Sequence, residues 1–158
     1  MIFEQIEAFS TALPPLRGLM GLDLGSKTIG VAISDSLLSV ASPHETVQRK
    51  KFSIDAARLL EITAERQLGG IILGLPLNMD GSEGSRCQST RSFARNLMRL
   101  TDLPIGFWDE RLSTVAAEKA LLEADASRKR RAGVIDNIAA SYILQGVLDR
   151  LSHMSAAL

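Results

Sequence analysis

The chain has 158 residues, 46% of them apolar and 23% charged, which suits a single globular domain with a full core. Its 18 basic and 18 acidic residues cancel, so no overall basic excess announces a nucleic-acid partner. Cys87 is the only cysteine, which excludes an internal disulfide and a multi-cysteine zinc site, and His44 and His153 are too few for a histidine metal site. No apolar stretch reaches the roughly 20 residues that span a bilayer.

The lone cysteine fits a reducing, cytoplasmic setting, and residues 1–9 carry acids and no basic start, unlike a signal peptide. Ile2, Ile6 and Phe9 form a short helical stripe that Pro14-Pro15 ends, and residues 1–17 read as an extension outside the catalytic core. Residues 19–25 and 28–34, joined by Gly25-Ser26-Lys27, predict a hairpin, with a weaker third strand at 41–47. Phe52, Ala56, Leu59, Leu60 and Thr63 mark one face of a helix over 52–67, stopped by Gly69-Gly70.

Residues 70–74 form an apolar run of the buried-strand type, followed by a loop rich in Gly, Pro and Asn. A helix is predicted over 83–100 with Ser82 as its cap, then a strand over 105–108 and a helix from 113 or 114 to 123. Residues 124–133 are polar and basic and read as mobile; 134–151 form the last helix. The order predicts an α/β fold, a mixed sheet with helices on its faces, in one domain over 18–152 with a tail at 153–158.

Three acids stand where an isolated carboxylate is costly. Asp23 interrupts the run 19–25 and shares a strand face with Gly21 and Gly25, which leave space around it. Glu110 stands where a strand gives way to a helix, with Asp109 as a competing acid beside it. Asp136 opens an apolar helix and shares a face with Ala139, Ala140 and Ile143; the ordinary alternative is a first-turn acid favoured by the helix dipole. Oxygen ligands from three elements suit Mg²⁺ or Mn²⁺ beside a phosphate, the apparatus of phosphodiester hydrolysis. Lys27 in the hairpin turn, Asn78 in the loop 74–82 and Arg111 are candidates for substrate phosphates, Arg111 equally for holding Glu110. Ser113 and Thr114 read as helix caps. The clusters Arg49-Lys50-Lys51 and Arg128-Lys129-Arg130-Arg131 can bind a nucleic-acid backbone; for the first, a plain solvated loop is an equal reading.

Four blocks in order resemble the YqgF family of RuvC-like proteins. They are Gly21-Leu22-Asp23-Leu24-Gly25-Ser26-Lys27-Thr28-Ile29-Gly30-Val31-Ala32, Gly74-Leu75-Pro76 to Gly81-Ser82, Asp109-Glu110-Arg111-Leu112-Ser113-Thr114, and Ile135-Asp136-Asn137-Ile138-Ala139-Ala140 with Ile143-Leu144 and Leu148-Asp149. The resemblance implies a ribonuclease H-like fold with a five-stranded mixed sheet flanked by helices. It implies metal-binding catalytic acids at Asp23, Glu110 and Asp136, with Lys27 and Asn78 approaching substrate. It further implies a nuclease of pre-16S ribosomal RNA or a resolvase of Holliday junctions. A RuvC-like plan generally has four acids and only three are clear here; Asp35, Asp80 and Asp109 are the remaining candidates. The leading expectation is an endonuclease in the maturation of ribosomal RNA, with ribosomal particles as partners and a monomer or homodimer as its state. The rival expectations are a DNA junction resolvase, a nucleic-acid or ribosome-binding factor with little catalysis, and an ATP-using domain of the actin type. The last needs two such domains, and this chain supplies one.

Overall fold

The run 19–24 forms strand β2 (Leu19–Leu24), which the Gly25-Ser26-Lys27 turn folds back as β3 (Thr28–Ser34). The turn closes with the Gly25 N–H donating to the Thr28 carbonyl at 2.8 Å. The hairpin register sets Asp23 opposite Gly30. Strand β4 (Ala41–Gln48) follows on the outer side of β3, with a register break between Val31 and Ala32. Pro43, which cannot donate to a ladder, is tolerated because β4 is an edge.

Helix α2 (Phe52–Glu65) buries Asp55, Ala56, Leu59, Ile62 and Thr63, the spacing of one helical stripe. Ile62 takes the inner place that the sequence stripe gives to Leu60, which is only partly buried. The helix ends before the two glycines, because Gln67 itself takes the left-handed conformation at φ 52° and Leu68 N–H reaches the Thr63 carbonyl at 2.9 Å. Strand β5 (Gly70–Leu75) is buried throughout. Helix α3 (Ser85–Met98) packs Cys87, Thr90, Phe93, Ala94 and Leu97 inward, and β6 (Ile105–Asp109) completes the alternation. A single 3-10 turn, Glu110–Leu112, follows β6. The last helix, α4, runs from Arg128 to Ala156.

The computed structural model describes residues 1–112 and 128–156, the side chains of 128–136 and 156 excepted. The predicted helix over 113–123, with Ser113 and Thr114, lies outside the described residues. Part of the segment expected to be mobile is helical from Arg128, and α4 extends past 151 into the expected tail.

Among the described residues the sheet has six strands where five were expected, in the order β1 (Ile2–Phe3), β6, β5, β2, β3, β4. The additional one is β1, which pairs parallel with β6, Ile2 opposite Ile105. Behind it, α1 (Ile6–Thr11) buries Ile6 and Phe9. Residues 1–17 therefore supply an edge strand and part of the core. Helices α2 and α3 cover one face, over Met20, Leu22, Ile71, Leu73 and Phe107. Helices α1 and α4 cover the other, where Ala139, Ala140, Ile143, Leu144 and Val147 meet Leu19, Ile72 and Trp108. No described helix is long and apolar enough to cross a membrane.

Candidate active site

Alternation along β2 sends Leu22 and Leu24 toward α2 and α3, and Asp23 to the α4 side with Gly21. Asp23 is 1% exposed. In parallel pairing, Leu22 stands opposite Leu73 of β5, so the next rung sets Asp23 beside Gly74. Gly74 has α4 on it: a Cβ there would lie 2.5 Å from Ile143 Cδ1 and 2.7 Å from Glu110 Oε1. Gly21 is as tight, a Cβ meeting the Leu144 Cβ at 2.7 Å. The small residues of β2 and β5 thus let α4 approach, and Gly74 leaves the gap into which the Glu110 carboxylate turns. Asp23 and Glu110 flank this glycine at the carboxyl ends of parallel strands, where open α/β sheets place their chemistry.

Asp136 lies in the backbone of α4, four residues before Ala140 and seven before Ile143, on the helix face that packs against Gly21 and Gly74. Its side chain is outside the described residues, as are those of Arg128, Lys129, Arg130 and Arg131. Among the described residues no three metal-ligating side chains form a group. Asp23 and Glu110 suit a hard divalent cation: both offer oxygen only, one is buried, and the cradle beside them holds no Cβ.

The 3-10 turn separates the neighbouring acids. Asp109 accepts from Arg111 Nη2 at 2.7 Å and from the Arg111 backbone N–H at 2.9 Å, and the bond to the guanidinium holds its carboxyl below the ordinary value of 3.8. Arg111 Nη1 also donates to the Met79 carbonyl at 3.2 Å. Arg111 therefore pairs with Asp109, where the sequence reading offered Glu110, and ties the end of β6 to the loop 76–84. Asn78 stands in that loop, its Nδ2 donating to Ser82 Oγ at 2.9 Å. Ser82, expected to cap α3, instead bonds Asp80, with Gly84 at the cap position. Lys27 is exposed at the hairpin tip.

The three candidates for a fourth acid have structural bonds. Asp35 accepts the N–H groups of Ser39 and Val40, which lower its pKa, and Asp80 is lowered by the Ser82 hydroxyl and N–H. Asp55, 2% exposed and not singled out by sequence, accepts the Lys50 N–H at 3.0 Å and fixes the start of α2. Sequence reasoning also passed over Gly74 as the spacer between acids; its signal is a glycine inside an apolar strand, following Ile71, Ile72 and Leu73.

The fold is shared with solved Holliday junction resolvases of the RuvC-like class. RuvC of Thermus thermophilus, solved in complex with a Holliday junction, superposes with a TM-score of 0.53 at 13% identity, over 85% of this chain and 96% of that one. The yeast mitochondrial Holliday junction resolvase Ydc2 gives 0.53 at 12% identity, over 94% and 86%. The chain belongs to the RuvX family, described as Holliday junction resolvase, whose model matches residues 17–150. It is 68% identical over 157 residues to a protein of a Ruegeria species, covering 99% of this chain and 100% of the relative. It is 70% identical over 153 residues to one of Roseobacter denitrificans, covering 96% and 94%. Both relatives bear the name "Putative pre-16S rRNA nuclease". The resemblance read from the four blocks and the ribonuclease H-like class are thereby confirmed.

Proposed function

We propose that the protein is a divalent-cation-dependent endonuclease that hydrolyses phosphodiester bonds of structured RNA during 5′-end maturation of pre-16S ribosomal RNA in the cytoplasm. The observation that carries this is the placement of Asp23 and Glu110 on either side of Gly74, in a chain about two-thirds identical to relatives of that name. Asp23, Glu110 and Asp136 would hold Mg²⁺ or Mn²⁺. When bound, such an ion activates water and neutralises charge on the phosphate and leaving oxygen. The β2–β3 ladder fixes the Asp23 backbone, and burial confines its side chain. Gly74 admits the Glu110 carboxylate. Lys27, Asn78 and Arg111 lie on loops at the same edge and position phosphates, Arg111 also pinning the loop through Met79. The basic run Arg128 to Arg131 would attract the substrate backbone by charge.

A second reading, cleavage of four-way DNA junctions, is favoured by the family description and by the fold shared with junction resolvases. One assay decides. A labelled pre-16S RNA fragment and a four-way DNA junction are incubated with wild type, Asp23→Asn, Glu110→Gln and Asp136→Asn, in Mg²⁺, Mn²⁺ or EDTA. Cut RNA in either metal, with loss of at least about 100-fold in each variant, is expected. Junction cutting alone would install the resolvase reading. Metal-independent cleavage, or full activity in folded Asp23→Asn, would remove the proposed site.

A further inference from the structure

On the α3 side of the same strand end lies a cleft of about 200 Å³, lined among others by Gly25, Ser26, Arg49, Arg86 and Ser89. Gly25 is two residues beyond Asp23, roughly 7 Å along an extended chain. Leu24, between them, faces this side, so the cleft and the acids lie on opposite faces of one sheet edge. Arg49 is built into its wall: Nη1 donates to the Gly25 carbonyl at 2.7 Å, and the guanidinium lies 5.9 Å from the centre of the buried Phe93 ring. Its backbone N–H donates to the Lys27 carbonyl at 2.9 Å, which couples the basic run 49–51 to the hairpin turn.

Arg86 stands in the first turn of α3, whose cap residue Gly84 offers no side-chain acceptor to the helix's first N–H groups. Neither Arg49 nor Arg86 has a carboxylate partner among the described residues, whereas Arg58, Arg91, Arg111 and Arg150 all do. Two guanidiniums without carboxylates, two serine hydroxyls and a helix start converge on one opening. That set of donors suits a phosphate, with Leu24 as the apolar part of the wall.

We propose that this cleft is a second phosphate site, which holds a phosphodiester of the substrate strand on the far side of the β2–β3 turn from the cleaved bond. The inference rests on the nuclease reading and extends it: the strand bends over the Gly25-Ser26 turn, with one phosphate at the acids and another between Arg49 and Arg86. It gives the cluster Arg49-Lys50-Lys51, equally readable as a solvated loop, a place on the substrate path. Recognition through the backbone makes the site indifferent to base and to sugar.

The test is equilibrium binding in EDTA, where no cleavage occurs. The probes are a fluorescein-labelled RNA hairpin with a single-stranded flank and a DNA strand of the same sequence, titrated across a salt series. Full-length wild type is compared with Arg86→Gln, with Ser89→Asp, and with Arg99→Gln, an exposed arginine at the opposite end of α3. Arg86 and Ser89 are exposed, so both variants keep the core intact. Each should weaken binding of both probes about tenfold, the scale of a lost charged hydrogen bond. Arg86→Gln should also lower the salt slope by about 0.7–0.9, one phosphate contact, while Arg99→Gln binds as wild type. Wild-type affinity and slope in Arg86→Gln and Ser89→Asp, an equal loss in Arg99→Gln, or a loss confined to RNA would overturn the phosphate site and leave the nuclease reading standing. Failure of wild type to bind either probe would remove both.

Discussion

Gly74 is the residue on which the geometry of the candidate site turns. A methyl group there would meet Ile143 and Glu110 together, at 2.5 and 2.7 Å. Gly74→Ala should therefore cost about 1–3 kcal/mol through overpacking and reduce cleavage by about 10²-fold as the carboxylate is displaced. The two effects separate in Gly74→Ala/Ile143→Val, which gives the new methyl space on the helix side only. Thermal melting should recover most of the lost stability while cleavage stays low. If activity returns with stability, Glu110 is indifferent to its position and the role given to it is wrong. The burial of Asp23 was legible in the sequence, because it interrupts an apolar run and period-two alternation then fixes its face. The choice between Asp109 and Glu110 was not, since the 3-10 turn after β6 decides which carboxylate turns to Arg111 and which to Gly74.

Among elements, the N-terminal segment shows where pattern reading runs short. Two residues of β1 are too few to display alternation, and the stripe through Ile2, Ile6 and Phe9 belongs to a strand and a helix together. What commits the segment is its inner surface: Phe9 is fully buried among Leu19, Ile72 and the α4 side chains. Arg91 adds a polar tie, binding Glu4 at 2.9 Å and Glu83 at 2.7 Å with its guanidinium 5.0 Å from the Phe107 ring centre. It joins β1 to the segment that leads from the loop 76–84 into α3. Phe9→Ala should accordingly cost about 3–5 kcal/mol in urea unfolding. An unchanged midpoint and slope would restore the segment to an appendage. The longer strands, β2, β3 and β5, were readable because each carries enough consecutive apolar residues to outvote any other local signal. The first residues of α4 were not, because a charged tetrad at a helix start looks the same as one in a loop.

At the scale of the whole molecule, the candidate cation site would join elements far apart in the chain: β2, the turn after β6, and α4. An ion held by all three binds only when the sheet and the last helix are assembled, so its binding free energy adds to folding stability. At a cation concentration of 100 times Kd this amounts to about 2.7 kcal/mol, or a rise in Tm of roughly 5–10 °C for a domain of this size. Differential scanning calorimetry of the wild type in Mn²⁺ against EDTA, with ionic strength matched by KCl, should show that rise. In Asp23→Asn and in Asp136→Asn it should vanish, although neither acid need be near the other in sequence. The pairing of those two variants matters, because an ion bound adventitiously at one exposed carboxylate would be lost in one of them and retained in the other. A shift abolished by both ties β2 to α4 through the ion, without reference to any substrate or to whether the bond that is cut belongs to RNA or DNA.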